Sequence, residues 1–356
     1  MGAGLSGLSC ARILEQNNIK PDIFEKKSQP GDRFLNCEIL LPLLTKPIND
    51  PIKYFSEEYN LHLKPQHNIS KLIIHSEKEK AEIKGHLGFT NLRGRTQNSF
   101  EKQLAGQIKS NIFYNSKKSY EELLQKYTHV ILATGDAAYA KKLQDYKIDL
   151  TVTLKGAIIK GSFNPGTVEA WLNNKLAPRG YGYLIPLSHE KANIVIGFPD
   201  HKKKPDINSL WEKFKAEISA YLSQELTLKN HFEINDYIIG LCKYPRLGNT
   251  FFVGNNFGSI MPFLGFGQVA SLLTGIYAAL DICGKGNYEE LTSQLKKSYN
   301  DSLALRKTLE QLNNHKYDLL VKSLSGKTGQ KIMQNMVDSN KNYLKIISNL
   351  LKPFVG

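Results

Sequence analysis

Residues 1–27 read MGAGLSGLSCARILEQNNIKPDIFEKK, and this stretch decides the fold. Gly2, Gly4 and Gly7 match G-x-G-x-x-G, and the run from Leu5 to Leu14 is apolar and helix-forming. A short strand, PDIFE, follows and ends on the acidic Glu25. The spacing suits a βαβ unit that holds a dinucleotide. The first glycine permits the tight turn, the second lets backbone approach a pyrophosphate, and the third packs helix against strand. Free N–H groups at the helix start, together with the helix dipole, favour phosphate. Glu25 stands where a carboxylate accepts hydrogen bonds from a ribose diol. A glycine-rich turn alone is weak evidence, but here helix, second strand and acid all fall at the required distances.

The turn begins with no strand in front of it. In a doubly wound sheet that strand is central, and its end positions the turn. The expectation is therefore a misassigned or truncated start, with about 5–6 strand residues upstream of Met1. The alternative is a damaged copy that binds its cofactor poorly.

At 356 residues and 40.2 kDa the chain can bury a large core, and two intertwined domains are expected. With 41% hydrophobic and 22% charged residues, the composition is that of an ordinary globular protein. The net charge of +14 comes mostly from Lys. It reads either as a solvated surface or as attraction to something acidic, such as a carrier protein or anionic lipid. Nucleic acid is disfavoured, because no basic-aromatic cluster or binding motif is present. Cys10, Cys37, Cys242 and Cys283 lie far apart without metal-ligand spacing, which argues for a reducing cytoplasm and against metal chemistry.

Farther along, residues 69–90 read as a β-hairpin around a charged turn. Phe100, Leu104 and Ile108 mark one face of a helix. THVILATGD (128–136) has the look of a buried parallel strand ending in Gly135. Residues 151–240 carry several short strands and a helix near 208–224, the pattern of an antiparallel sheet. NTFFVGNNFG (249–258) returns to the buried-strand pattern, and from Glu289 onward the chain is helical. Residues 257–282 are uncharged until Asp281, but Pro262, Gly265 and Gly267 break the run, so no membrane span is expected.

Five separated segments together resemble FAD-dependent oxidoreductases of the geranylgeranyl reductase family, within the p-hydroxybenzoate hydroxylase-like flavoproteins. They are GAGLSG…FEK, RGRTQNSFEKQL, VILATGD, GYGYLIPL…ANIVIG and FFVGNNFGSIMPFLGFGQVASLLTG, spanning residues 2 to 275. The resemblance implies an α/β fold: a Rossmann-like FAD-binding domain, its first strand missing, with an inserted antiparallel β-sheet substrate domain and a helical C-terminal region. The FAD-binding domain would comprise 1–50, 91–150 and 241–285, the substrate domain 51–90 and 151–240, and the helical region 286–356.

By the same resemblance, the turn Gly2, Ala3, Gly4, Leu5, Ser6 and Gly7 would face the FAD pyrophosphate. Glu25 and Lys26 would lie at the adenosine ribose, with Arg33 and Arg93 as further cofactor neighbours. Ala133, Thr134 and Gly135 would border FAD, and Gly254 and Asn255 would meet its ribityl-phosphate arm. Gly265 and Gly267 would open a helix whose N-terminus points at the isoalloxazine ring, where negative charge develops on reduction. Tyr181, Tyr183 and Pro186 correspond to the substrate motif Y-x-W-x-F-P.

Three departures matter. Asn255 replaces the family's usual Asp, Tyr183 and Ile185 replace its Trp and Phe, and NCEI replaces a Cys-Gly-Glu at Cys37. Cys37 is either a proton-transfer residue near the flavin or a small buried one. No second Rossmann unit is legible, because Pro262 and Phe263 precede LGFGQVA where a strand should end. Electrons would then arrive from transiently bound NAD(P)H or from a ferredoxin, an acidic carrier suited to a basic surface. Near the C-terminus, Tyr343, Ile347, Leu350, Leu351 and Phe354 share a helical face. That face either docks on its own domain or lies peripherally on a membrane.

The resemblance implies a reductase that delivers hydride to the double bond of an isoprenoid or similar apolar, lipid-like substrate. A flavin monooxygenase and a non-catalytic flavin-binding protein are the alternatives.

Overall fold

Helix α1 (Leu5–Gln16) starts directly from the glycine turn and leads through a tight corner to strand β1 (Ile23–Phe24). The structure, a computed structural model, describes residues 1–32, 36–45, 47–200, 205–326 and 329–331. Arg33 and the apolar stripe from Tyr343 to Phe354 lie outside the described residues.

Strand β2 (Asn36–Leu40), a 3-10 turn at Pro42–Leu44 and helix α2 (Pro51–Tyr59) follow β1. Next come the hairpin strands β3 (His67–His75) and β4 (Lys80–Arg93) and helix α3 (Phe100–Ala105). Ser99 accepts a hydrogen bond from Lys102 N and so caps α3, while Phe100 and Leu104 are fully buried. Strand β5 (Ile112–Phe113), helix α4 (Tyr120–Lys126), strand β6 (Val130–Leu132) and helix α5 (Ala138–Leu143) complete the first pass. A capping box between Ser119 and Glu122 starts α4.

The chain then builds β7 (Tyr146–Lys160), β8 (Thr167–Trp171), β9 (Tyr181–Pro186), β10 (Lys191–Pro199), helix α6 (Ile207–Leu222) and β11 (Thr227–Cys242). It returns through β12 (Arg246–Leu247) and β13 (Thr250–Phe252) to helix α7 (Gln268–Ile282), then α8 (Tyr288–Leu309) and α9 (Asn314–Ser325). In α8, Asn287 caps the start, acids occupy the first turn, and Arg306 and Lys307 lie in the last. Both ends therefore match the helix dipole.

The nucleotide-binding layer consists of the parallel pair β1–β5 and the sheet β12–β13–β6, in which β13 runs parallel to β6. Met1 passes between them. Its nitrogen donates to Ile131 O at 2.8 Å, its carbonyl accepts from Ala133 N at 2.8 Å, and Gly2 N donates to Phe24 O at 2.8 Å. Met1 and Gly2 thus tie β1 to β6. Helices α1 and α7 pack on this layer around a core that includes Leu8, Phe251, Leu272 and Ile276.

The second sheet has eight strands in the order β11-β7-β10-β9-β8-β3-β4-β2. It corrects the antiparallel expectation at one place, because β3 and β8 pair in parallel. A parallel pair requires a long connection, and here the chain passes through the nucleotide-binding layer between the two strands. β7 and β11 are long, and bulges interrupt their pairing. β2 joins the edge of this sheet, so the sheet takes in residues from the span read as 1–50. Helix α6 covers one face through Leu210, Trp211, Phe214 and Ile218. Helices α8 and α9 cover part of the other through Leu305, Leu309, Leu320 and Leu324. Among the described residues, no helix is long and apolar enough to cross a membrane.

Candidate functional site

The starts of α1 and α7 open onto one cavity of about 780 Å³ between the nucleotide-binding layer and the large sheet. That size is ordinary for a small-molecule or cofactor site, about 300–1,000 Å³. The helices begin after Gly4 and Gly267, and neither glycine supplies a side-chain partner to the first-turn N–H groups. Two uncapped helix starts aimed at one cavity make an anion-favouring wall.

At the α1 end each glycine has its own reason. Gly2 has φ +102°, and a Cβ there would lie 2.2 Å from Ala133 O. A Cβ on Gly7 would lie 2.1 Å from Gly2 O. A Cβ on Gly4 would meet nothing within 4 Å. Gly2 and Gly7 are therefore demanded by backbone contact, whereas Gly4 leaves space on the cavity side. Gly4, Leu5 and Ser6 line the cavity, while Gly2, Ala3 and Gly7 stand behind them. The Glu25 carboxylate accepts from Ala3 N at 2.8 Å and Lys27 N at 2.9 Å, which fixes the turn to the end of β1. Glu25 and Lys26 both border the cavity.

Ala133, Thr134 and Gly135 reach it from the end of β6. Asn256 Nδ2 donates to Thr134 Oγ1 at 2.9 Å and holds this segment against the turn after β13. Gly254 and Asn255 also line the cavity, but the Asn255 side chain is engaged internally. Its Nδ2 donates to Gly135 O at 2.9 Å and to Tyr237 Oη at 2.7 Å, and its Oδ1 accepts from Ser259 Oγ at 3.1 Å. The Asn255 amide thus works as a clamp between the end of β6, β11 and the loop before α7.

That loop, residues 257–267, is held from two sides and tied across itself. Tyr181 Oη donates to Leu264 O at 2.5 Å, Ser302 Oγ accepts from Phe263 N at 2.9 Å, and Met261 N donates to Phe266 O at 2.8 Å. Gly265 and Gly267 both line the cavity. Next to them, Gln268 is 4% exposed, and neither its Oε1 nor its Nε2 has a hydrogen-bond partner. A buried primary amide with both ends unpaired costs free energy.

Arg93 lines the cavity with its guanidinium committed to protein carboxylates. It bonds Glu38 at 3.0 Å and Glu101 at 2.7 Å. Burial acts against its charge, but Glu101 and Glu38 outweigh that and keep it protonated. Its observed role is to tie β4 to β2 and α3.

The large sheet supplies the apolar wall. Tyr181, Tyr183 and Ile185 alternate along β9 onto the cavity face with Leu72, Ile74 and Val168. Pro186 is not among the lining residues, because strand alternation turns it to the opposite face. Burial pushes the Tyr181 and Tyr183 hydroxyls far up, so both remain neutral. Tyr183 Oη donates to Asn36 Oδ1 at 3.4 Å. Cys37 borders the cavity yet is fully buried, and burial raises its thiol well above the ordinary range. Helices α8 and α9 close the far side with Leu309, Leu320 and Leu324.

Sequence reading missed Gln268, Asn36 and Glu38. Gln268 had a signal: it is a lone amide in an otherwise apolar run. Asn36 and Glu38 flank Cys37, which alone drew notice.

A glycine turn with open space at Gly4 and two helix starts without a side-chain cap form a donor set that fits FAD.

The model of the NAD(P)-binding Rossmann-like domain matches residues 1–39. Among solved structures, the chain is similar to a geranylgeranyl bacteriochlorophyll reductase-like protein from Thermoplasma acidophilum. The TM-score is 0.73 at 15% identity, covering 98% of this chain and 97% of that one. A flavoprotein/dehydrogenase from Cytophaga hutchinsonii matches with TM-score 0.66 at 14% identity, covering 99% and 98%. The flavin-dependent brominase Bmp2 matches with TM-score 0.63 at 12% identity, covering 99% and 97%. Over nearly its whole length, the chain has the fold that these three proteins share, with a Rossmann-like unit joined to a large mixed sheet.

Proposed function

We propose that this chain is an FAD-dependent oxidoreductase that reduces a carbon–carbon double bond in an isoprenoid or similar apolar substrate. The observation that carries this reading is the cavity itself, with two helix starts on one wall and the apolar face of an eight-stranded sheet on the other. Gly4, Leu5 and Ser6 would hold the pyrophosphate of FAD, Glu25 its ribose, and Gly265 and Gly267 the flavin end. When bound, FAD supplies two-electron hydride chemistry, its electrons coming from NAD(P)H or a ferredoxin-type carrier.

The protein groups bind and exclude. Tyr181 and Tyr183, held neutral by burial and with their hydroxyls donating to Leu264 O and Asn36 Oδ1, present uncharged rings to an apolar ligand. Leu72, Ile74, Val168 and Ile185 remove water from its hydrocarbon surface. We place the protein in the cytoplasm, with the apolar substrate reached from a membrane surface.

The test begins with the visible spectrum of the purified protein, before and after addition of FAD. Reduction by NADPH and by reduced ferredoxin follows, and then mass analysis of an isoprenoid alcohol for the gain of two hydrogens. A bound flavin and a hydrogenated product support the reading. NADPH consumption coupled to oxygen uptake and a hydroxylated product would replace it with a monooxygenase. Absence of flavin under every condition would end it.

A further inference from the structure

Arg306, in the last turn of α8, is 5% exposed and lines the main cavity. A guanidinium taken this far out of water is costly unless its donors are met, and here each of its three nitrogens has an acceptor. Nε donates to Glu310 Oε1 at 2.7 Å, Nη1 to Phe263 O at 3.5 Å and Nη2 to Arg179 O. One turn earlier on the same helix, Ser302 Oγ accepts from Phe263 N at 2.9 Å. Helix α8 thus grips Phe263 by both its amide and its carbonyl.

Two of the segments that Arg306 reaches are joined a second time. Leu264, next to Phe263, accepts from Tyr181 Oη at 2.5 Å, and Tyr181 follows Arg179 and Gly180 in the chain. Arg306, Phe263–Leu264 and Tyr181–Arg179 therefore close a ring of hydrogen bonds and backbone. Arg179 sits in it at φ +55°, and its N–H donates to Asn174 Oδ1 at 2.6 Å, so that corner is fixed as well. A planar fork with diverging N–H groups can serve acceptors on three segments at once, which a single ammonium cannot. The ring closes on the segment that carries Gly265 and Gly267 into α7. We propose that Arg306 is a positioning residue: through Phe263, and with Tyr181 closing the ring, it sets where the start of α7 stands against the flavin and the tyrosine wall of β9. Its bearing on the flavin rests on the proposed cofactor. Free N–H groups at that helix start stabilise the negative charge a flavin gains on reduction, so their placement is read in the flavin potential.

The test compares wild type, Arg306→Met, Tyr181→Phe and the double variant as full-length holoproteins in dye-equilibrated redox titrations. Arg306→Met removes the fork, and Tyr181→Phe opens the ring on its other side without changing any charge. Each single variant holds reduced flavin about tenfold less tightly relative to oxidised flavin, a midpoint potential about 30 mV lower. The double variant falls no further than the larger single effect, because one opening already frees the ring. In the flavin-free proteins, amides of residues 257–267 exchange about tenfold faster in both single variants. A potential lowered in Arg306→Met but unchanged in Tyr181→Phe reports lost charge alone and overturns the inference, and so does a double variant whose drop is the sum of the two. Ser302→Ala, also neutral, replaces Arg306→Met if that variant does not fold, and wild-type potentials in both Ser302→Ala and Tyr181→Phe overturn the inference. Each of these failures, with flavin bound, leaves the cofactor reading intact. A wild-type protein that takes up no FAD overturns the cofactor reading and the inference together.

Discussion

A Cβ placed on Gly275 would lie 2.0 Å from the carbonyl oxygen of Ser6 and 2.4 Å from Ser9 Oγ. Helices α1 and α7 therefore touch backbone to backbone, and Ser9 Oγ, which donates to Leu272 O at 3.0 Å, fastens the contact. This approach brings both helix starts to one cavity. Gly275→Ala must push α7 away from α1, because a carbonyl in a helix cannot yield as a flexible side chain can. The expected loss is about 1–3 kcal/mol of stability, read from urea unfolding, together with weaker FAD binding. An alanine variant as stable as wild type would contradict the close packing.

Gly2 and Gly4 should separate fold from ligand. Gly2→Ala combines φ +102° with a Cβ 2.2 Å from Ala133 O, so it should destabilise the apo-protein by about 2 kcal/mol or more. Gly4 has φ −93°, and its Cβ space is empty. Gly4→Ala should leave apo stability within about 0.5 kcal/mol and yet weaken FAD binding about tenfold or more. Melting curves and flavin titrations on the two variants read both quantities. Equal effects of the two substitutions on stability would remove the distinction.

Asn255→Asp would bring back the charge usual in the resembling family, but this structure predicts harm from it. Asn255 Nδ2 donates to Gly135 O and Tyr237 Oη. A carboxylate would face the Gly135 carbonyl with no proton to offer. The apo-protein should lose about 1–3 kcal/mol, visible as a lower Tm at pH 8 that recovers in part on acidification. A higher Tm at pH 8 would show that the clamp is dispensable.

The thiols predict alkaline behaviour. Burial, reinforced by Cys283, pushes Cys10 up to about 12 from an ordinary 9.0, against a weaker opposing effect of the Met1 nitrogen. Burial likewise raises Cys242 to about 12. Both folded values exceed the unfolded one, so the stability these thiols contribute is full below pH 9 and is lost as pH rises from 9 to 12. At pH 10 the loss should be about 1 kcal/mol per thiol. The urea midpoint should fall between pH 8 and pH 10, and fall less in Cys10→Ala. In the native protein at pH 8, a disulfide reagent should label Cys283, which is partly exposed, ahead of the buried Cys10, Cys37 and Cys242. Rapid labelling of Cys37 would revive it as a reactive residue.

The nucleotide-binding half was legible because its determinants are local. The turn at Gly2, Gly4 and Gly7, the apolar run of α1 and the acid at Glu25 lie within one short segment. Each answers to a backbone angle, a helix start or a strand end that neighbouring residues specify. Tyr181 and Tyr183 were legible for a similar reason, since strand alternation puts them on one face. The same alternation turned Pro186 away, which the quoted motif did not reveal.

What the sequence determined alone, then, is the βαβ unit and the alternation of apolar residues in the strands that follow. Long-range packing is what joins β2 to the large sheet, runs β8 parallel to β3, and commits Arg93 to Glu38 and Glu101. It alone locks Asn255 and leaves Gln268 unpaired. Local backbone preference is written in a few adjacent residues, whereas a buried polar group's partner comes from wherever in the chain the packing brings one.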